Sequence, residues 1–445
     1  MNYEMQESPY RHLVTGVDTQ VPLANGNYGT YVNFDNAATT PPFNSVLKDI
    51  MNFAPWYSSI HRGNGYKSQF SSNIFENSRD TVLNFVHADS KHNTVIYVKN
   101  TTEGINKLSF RLCSGDKKCV VLSSNMEHHS NDLPWRDKYR LDYIELDKQG
   151  RLSLKDLEQK LINYNGTVKL ITVSGASNVT GYINPIYEVA KLAHKHNAKI
   201  LVDGAQLVPH SPVDMKPEDS PDHIDFLVFS AHKMYAPFGI GVLIGPKSAF
   251  EQGSPDYKGG GTVDLVTHEY VAWSEPPEKE EAGTPNVMGV VALVSSIKTL
   301  NSIGMKNIDN YERNLAYYTL SNIKNIKDIE LYADSEDINN RVSIIPFNIK
   351  GMHHNIVSEI LSSEAGIAVR TGCFCAHPYV QKLLDIPDND IASYLRTEKS
   401  ERPGMIRLSF GLYNNFSEID YFLRVLKHII YNKQYFLNKY NNYKH

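Results

Sequence analysis

Five short apolar runs end abruptly in small or polar side chains. They are Thr94–Val98, Val120–Leu122, Leu170–Val173, Lys199–Val202 and Ile224–Phe229. Runs of this length, β-branched or aromatic at several positions, read as buried strands. After the third run, Ile186, Val189, Ala190 and Ala193 recur at helical spacing. Strands alternating with helices, each delivering polar residues at its end, predict an α/β chain. Its sheet should be mostly parallel, with a site along the strands' carboxyl ends.

The alternation stops near Leu300–Gly304, where a domain boundary is expected. We divide the chain into an N-terminal arm (1–30), a large domain (31–300) and a small C-terminal domain (301–445). The last part has strands at Val342–Phe347 and Met405–Ser409. A closing helix carries Ile419, Phe422, Leu423, Leu426 and Ile430 on one face. The Asn/Tyr/Lys-rich tail after Tyr431 is expected to fray. With 445 residues and 41% hydrophobic composition, a two-domain core is affordable in surface-to-volume terms.

A net charge of −4 with both signs interspersed leaves no footprint for nucleic acid. No apolar run approaches the roughly 20 residues of a membrane span. The segment Met1–Ser8 is polar and acidic, unlike a secretory signal. Four cysteines, with Cys113 and Cys119 isolated, do not form a disulfide framework and fit a reducing, cytoplasmic setting. No glycine-rich dinucleotide or nucleotide-triphosphate loop follows the early strands, which disfavours those cofactors.

The strand ends supply a different set. Ser230-Ala231-His232-Lys233 follows Ile224–Phe229, and a second apolar run begins at Ile240, so Lys233 lies between two buried elements. Partial burial lowers a lysine's pKa and frees its amine for Schiff-base formation. Asp203 ends another strand and could keep a pyridinium nitrogen protonated. His128 offers a flat ring for stacking, and Asn178 and Gln206 could reach a ring hydroxyl. Thr101, Thr102, Ser230 and His232 could hold a phosphate, the threonines at a helix N-terminus. Together these are the parts of a pyridoxal 5'-phosphate (PLP) site.

The motifs Asp203-Gly204-Ala205-Gln206, Ser230-Ala231-His232-Lys233, Thr101-Thr102-Glu103-Gly104-Ile105-Asn106, Glu127-His128-His129 and Ala282-Gly283-Thr284-Pro285-Asn286 closely resemble the class V aminotransferase branch of fold-type I PLP enzymes. Within it, they are most similar to the cysteine desulfurase and selenocysteine lyase group. The resemblance implies a large domain with a mostly parallel seven-stranded sheet and a smaller α+β C-terminal domain. It also implies a homodimer with shared active sites. Thr284 would then reach the partner's phosphate, and His61 and Arg62 would line the partner's site. Arg370 matches the arginine that pairs with the substrate α-carboxylate, and Arg407 a second arginine nearby; planar guanidinium suits that task. Cys375 falls at the sulfur-accepting position, where its thiolate would attack the sulfur of L-cysteine, leaving alanine and an enzyme persulfide. A partner protein could collect that sulfur.

Two departures stand out. The loop reads Cys373-Phe374-Cys375, which resembles the desulfurase domain of molybdenum cofactor sulfurases, and the stretch from Pro378 to Pro403 is long. Other readings stay open: a selenocysteine lyase, C–S lyase, epimerase or transaminase without a persulfide step, or a metal held by Cys373, Cys375 and His377.

Overall fold

The computed structural model describes residues 7–112, 119–332, 337, 339–398 and 401–441. The strands used below are β1 (Val32–Asn33), β2 (Asn93–Val98), β3 (Val120–Ser124), β4 (Arg140–Ile144), β5 (Val168–Ser174), β6 (Lys199–Asp203), β7 (Phe226–Ser230) and β8 (Gly241–Pro246). They continue with β9 (Ile329–Leu331), β10 (Ile344–Ile349), β11 (Ile367–Ala368), β12 (Arg370–Gly372) and β13 (Met405–Ser409).

The central sheet has seven strands in the order β2-β8-β7-β6-β5-β3-β4. Every pair is parallel except those made by β8, which runs antiparallel to β2 and β7. This is the expected mostly parallel sheet. β2, β3 and β7 are buried throughout, as their continuous apolar runs require when helices cover both faces. Each fully buried Leu, Val or Phe in such a strand contributes about 1.5–3 kcal/mol. The register places Ser174 beside Asp203 and Gly241 beside Ser230, so the carboxyl ends of β5, β6 and β7 open onto one place. Gly241 allows that closure, because a Cβ there would sit 2.7 Å from the Asn100 Cα.

A second, four-stranded antiparallel sheet runs β9-β10-β13-β12. Helices His354–Ala365 and Phe416–Tyr431 pack around it, the latter starting in a capping box between Asn415 and Glu418. β1 pairs in parallel with β11, bringing Val32 opposite Ile367. Val32 and Phe34 therefore belong to the core of this C-terminal unit, although they precede the large sheet in the chain. Helices Val287–Ile303 and Met305–Ile323 meet at Gly304 with a bend of 77°. Among the described residues, no single helix is long and apolar enough to cross a membrane.

Two expectations are corrected and one is refined. The tail does not fray over its first part: Lys433–Asn441 is helical, because Phe436 and Tyr440, four apart, pack into the small core. The helix Thr101–Arg111 starts at the two threonines as expected, with Asn100 as its cap accepting the Glu103 N–H at 3.0 Å. Cys119, read as isolated, is disulfide-bonded; Cys113 lies outside the described residues.

Candidate active site

A cavity of about 480 Å³ opens where β5, β6 and β7 end. Lys233, Asp203, His128, Asn178, Gln206 and Ser230 all line it. So do Thr101, Thr102 and His232, and from the C-terminal unit Arg370, Cys375 and Arg407. Residues separated by more than a hundred positions thus converge because parallel strands end on one edge.

Lys233 follows β7 in a single 3-10 turn, Ala231–Lys233. Burial lowers its pKa to about 8; Asp203 opposes the shift and Arg407 adds to it. Asp203 ends β6 and accepts the Ala205 N–H at 3.0 Å, while burial raises its pKa against the opposing pull of Lys233. A carboxylate this deep is held charged by a cationic or N–H⁺ partner.

Glu127 is fully enclosed just before His128. It accepts from the Ser174 backbone at 3.0 Å, the Ser174 hydroxyl at 2.6 Å and the Asn131 amide at 2.6 Å, and also from the Ser124 hydroxyl. That network pins the following histidine. His128 Nδ1 accepts the Ser130 N–H at 3.1 Å and lies 2.7 Å from the Ser130 hydroxyl. With Nδ1 an acceptor, the neutral ring carries its proton on Nε2. Burial, then the nearby Lys233, lowers the His128 pKa to about 3, so the ring is neutral at physiological pH.

The helix start at Thr101 is tied to β7: Ser230 Oγ receives the Thr101 N–H at 2.8 Å and lies 2.7 Å from its hydroxyl. The His232 carbonyl accepts from Thr40 N–H at 2.9 Å and from the Thr39 hydroxyl at 3.0 Å, closing the other wall.

Asn178 and Gln206, expected to donate to a ring hydroxyl, each give one amide N–H to the protein. Asn178 donates to the Phe374 carbonyl at 2.7 Å and Gln206 to the Ala37 carbonyl at 2.7 Å. Gln206 Oε1 remains buried without a partner, an acceptor suited to a hydroxyl donor in the cavity.

Arg407 is buried; its Nη1 donates to the Asn178 carbonyl at 2.9 Å, and its Nη2 to Asp35 at 3.1 Å. Its guanidinium lies 4.9 Å from the Phe374 ring centroid. Burial lowers its pKa to about 10, which leaves it charged at neutral pH. Arg370 Nε meets the other Asp35 oxygen at 3.2 Å. Sequence reasoning gave Asp35 and Phe374 no role, because neither residue type nor local spacing marks a contact between such distant segments.

Cys375 is exposed at the cavity's edge, and Cys373 is half-buried with Sγ 3.6 Å from the Pro403 carbonyl. Burial raises the Cys373 pKa, keeping it a thiol. The Ala376 N–H bonds back to the Cys373 carbonyl at 2.8 Å, and φ is 51° at Phe374 and 54° at Cys375. Two consecutive positive φ values are those of a type I′ turn, usually built from Asn and Gly. Cys373, Cys375 and His377 are not brought together as ligands. The group that is, among the described residues, is His194, His223 and Asp225. There the rings stack at 4.1 Å and 20°, and both Nε2 atoms already meet the Asp225 carboxylate, at 2.9 and 3.6 Å.

His61, Arg62 and Thr284 are exposed and do not line this cavity.

The class-V aminotransferase family model matches residues 32–422. A cysteine desulfurase of Shigella sonnei (strain Ss046) is 35% identical over 385 residues, covering 84% of this chain and 86% of its own. One from Escherichia coli O8 (strain IAI1) is 34% identical over 408 residues, covering 89% and 92%. Among solved structures, the apo cysteine desulfurase of Thermococcus onnurineus NA1 superposes with a TM-score of 0.81 at 31% identity, covering 94% of this chain and 98% of that one. The chain belongs to the class-V aminotransferase family, as its motifs led us to expect.

Proposed function

We propose that this chain is a PLP-dependent cysteine desulfurase: L-cysteine and the Cys375 thiol give L-alanine and a Cys375 persulfide. One observation carries the reading. Lys233, Asp203, both arginines and Cys375 line the same cavity. Its relatives of that name span most of the chain.

The residues present fit PLP. Gln206 Oε1 is an orphaned buried acceptor, Asp203 is a deep carboxylate, and Lys233 is an amine with depressed pKa. Lys233 would hold the group covalently, Asp203 its ring nitrogen, and Gln206 with Asn178 its hydroxyl side. Thr101, Thr102, Ser230 and His232 would hold its phosphate, and His128 would stack on its ring. When bound, PLP supplies an electron sink that weakens bonds at the substrate's α-carbon.

The chain's own residues do the rest. Arg370 and Arg407 bind the α-carboxylate and aim the sulfur at the loop. His128 presents an Nε2–H at neutral pH, a donor beside the reacting atoms. The Lys233 amine accepts and returns a proton near its depressed pKa. Cys375, exposed on its turn, accepts the sulfur and offers it to a sulfur-accepting protein.

The same proposal includes a homodimer in a cytoplasmic setting. An apolar groove lined by Phe53, Trp56, Phe70, Ile74 and Val291 supports a subunit contact. In the dimer Thr284, His61 and Arg62 serve the neighbouring cavity. Cys373 and Cys375 are free thiols, which supports a reducing compartment, whereas the Cys119 disulfide runs against it. Incubation of PLP-loaded protein with L-cysteine and a thiol reductant should release sulfide and alanine in equal amounts. Alanine formation without sulfide, or neither product, overturns the reading.

A further inference from the structure

Arg370 and Arg407 lie directly opposite each other on the antiparallel strands β12 and β13. Like charges in that relation repel. Asp35 resolves the conflict with one carboxylate, Oδ2 on Arg370 Nε at 3.2 Å and Oδ1 on Arg407 Nη2 at 3.1 Å. Both arginines line the cavity, whereas Asp35 does not, so it stands behind them.

We infer that Asp35 is a positioning residue, acting through Arg370, that prepares the cavity for a substrate carrying one carboxylate. The inference rests on the proposed reading that these arginines take the α-carboxylate.

Two further observations support it. The Asp35 backbone is fixed beside β13: the Ser409 N–H donates to the Phe34 carbonyl at 2.8 Å, the Asn36 N–H to the Ser409 carbonyl at 3.4 Å, and the Asp35 N–H to Asn33 Oδ1 at 3.1 Å. Ser409 and Arg407, two apart on one strand, share a face. The two arginines also differ. Arg407 is buried and already held by the Asn178 carbonyl and the Phe374 ring. Arg370 has a half-exposed side chain, and Asp35 is the acidic group that meets it. A long, half-exposed side chain occupies many rotamers unless something fixes it. Asp35 uses Nε and aligns the fork toward the cavity. Two guanidiniums and one carboxylate leave one net positive charge, the complement of a single α-carboxylate.

The test compares Asp35→Asn, Asp35→Glu, Arg370→Gln and the Asp35→Asn/Arg370→Gln double variant, each PLP-loaded and checked by melting temperature. KM and kcat are measured for L-cysteine, and the dissociation constant for L-alanine by calorimetry. Asp35→Asn should raise KM and the L-alanine constant about tenfold, with kcat within about threefold. Asp35→Glu, which keeps the charge but lengthens the reach, should raise both only about threefold. In the Arg370→Gln background, Asp35→Asn should add less than about twofold, because its route of action is gone. An unchanged KM and L-alanine constant in Asp35→Asn overturns the inference, as does a full-sized effect in the double variant. Should Asp35→Asn not fold, Asp35→Glu decides the matter by the same two constants. Wild-type protein that binds L-alanine yet releases no sulfide would refute the desulfurase reading, while the alanine constants would still decide the role of Asp35.

Discussion

The backbone N–H of His129 donates to the carbonyl of Cys375 at 2.7 Å, coupling the residue after the cavity's histidine to the residue that carries the exposed thiol. The same histidine's Nε2 accepts the His377 N–H at 3.3 Å and lies 3.0 Å from its Nδ1, with the rings stacked 8° from parallel. Nε2 is therefore the bare nitrogen of His129, which grips the turn at Cys375 and again two residues beyond it.

Positive φ at a non-glycine residue costs about 1–3 kcal/mol, so the turn at Phe374 and Cys375 persists only while its contacts do. Phe374→Ala keeps that cost and removes the ring from Arg407. Loss of about 1 kcal/mol of cation–π contact should speed alkylation of Cys375 by iodoacetamide about fivefold in the native protein. An unchanged alkylation rate would show that the ring does not hold the turn.

Lys233→Ala should abolish covalent cofactor retention and cut sulfide release by at least about 10³-fold. Borohydride treatment followed by peptide mapping checks this, with the reduced adduct on Lys233 in wild type and on no lysine in the variant.

Uptake of PLP by the apoprotein should depend on pH through the same amine. The pKa of about 8 lies below the ordinary lysine value, so the reactive neutral form gains as pH rises and saturates above that value. About one-tenth of the amine is neutral at pH 7 and about nine-tenths at pH 9. The uptake rate, followed by absorbance, should climb accordingly; a rate flat across that window contradicts the lowered pKa.

Asp203→Asn should leave the fold and cofactor binding in place while lowering kcat by about 10²-fold or more, since a neutral amide cannot stabilise a protonated ring nitrogen. The absorbance spectrum and the rate of sulfide release together check it.

Cys375→Ser should eliminate sulfide release, whereas Cys373→Ser should keep it within about threefold, because burial holds the Cys373 thiol protonated. Equal losses in both would shift the reading toward a reaction in which neither thiol accepts sulfur.

Strand ends were legible because each apolar run switches to polar residues within one step, and parallel topology then gathers those ends without further information. Lys233, Asp203, His128 and Ser230 were readable on that ground. Contacts joining distant segments were not. Asp35 meets Arg370 through a pairing of two short strands, β1 and β11, that carry no periodic signal. The left-handed turn at Phe374 and Cys375 was hidden too, since neither residue announces positive φ as Gly or Asn does. The amides of Asn178 and Gln206 found protein carbonyls that no local pattern predicts. The helix Lys433–Asn441 was missed because its composition is polar, although Phe436 and Tyr440 recur at helical spacing.

The pairing of β1 with β11 also has a temporal side. Val32 leaves the ribosome early, yet its partner Ile367 is made only after most of the chain. At about 5–20 residues per second, that segment waits tens of seconds before its strand exists. Asp35, three residues past Val32, waits with it, and the two arginines it serves are synthesised later still. The large sheet can form first, but the end of the cavity that holds Arg370 and Arg407 cannot. A nascent or C-terminally truncated chain would thus hold Lys233 in a cavity that lacks its arginine and cysteine wall.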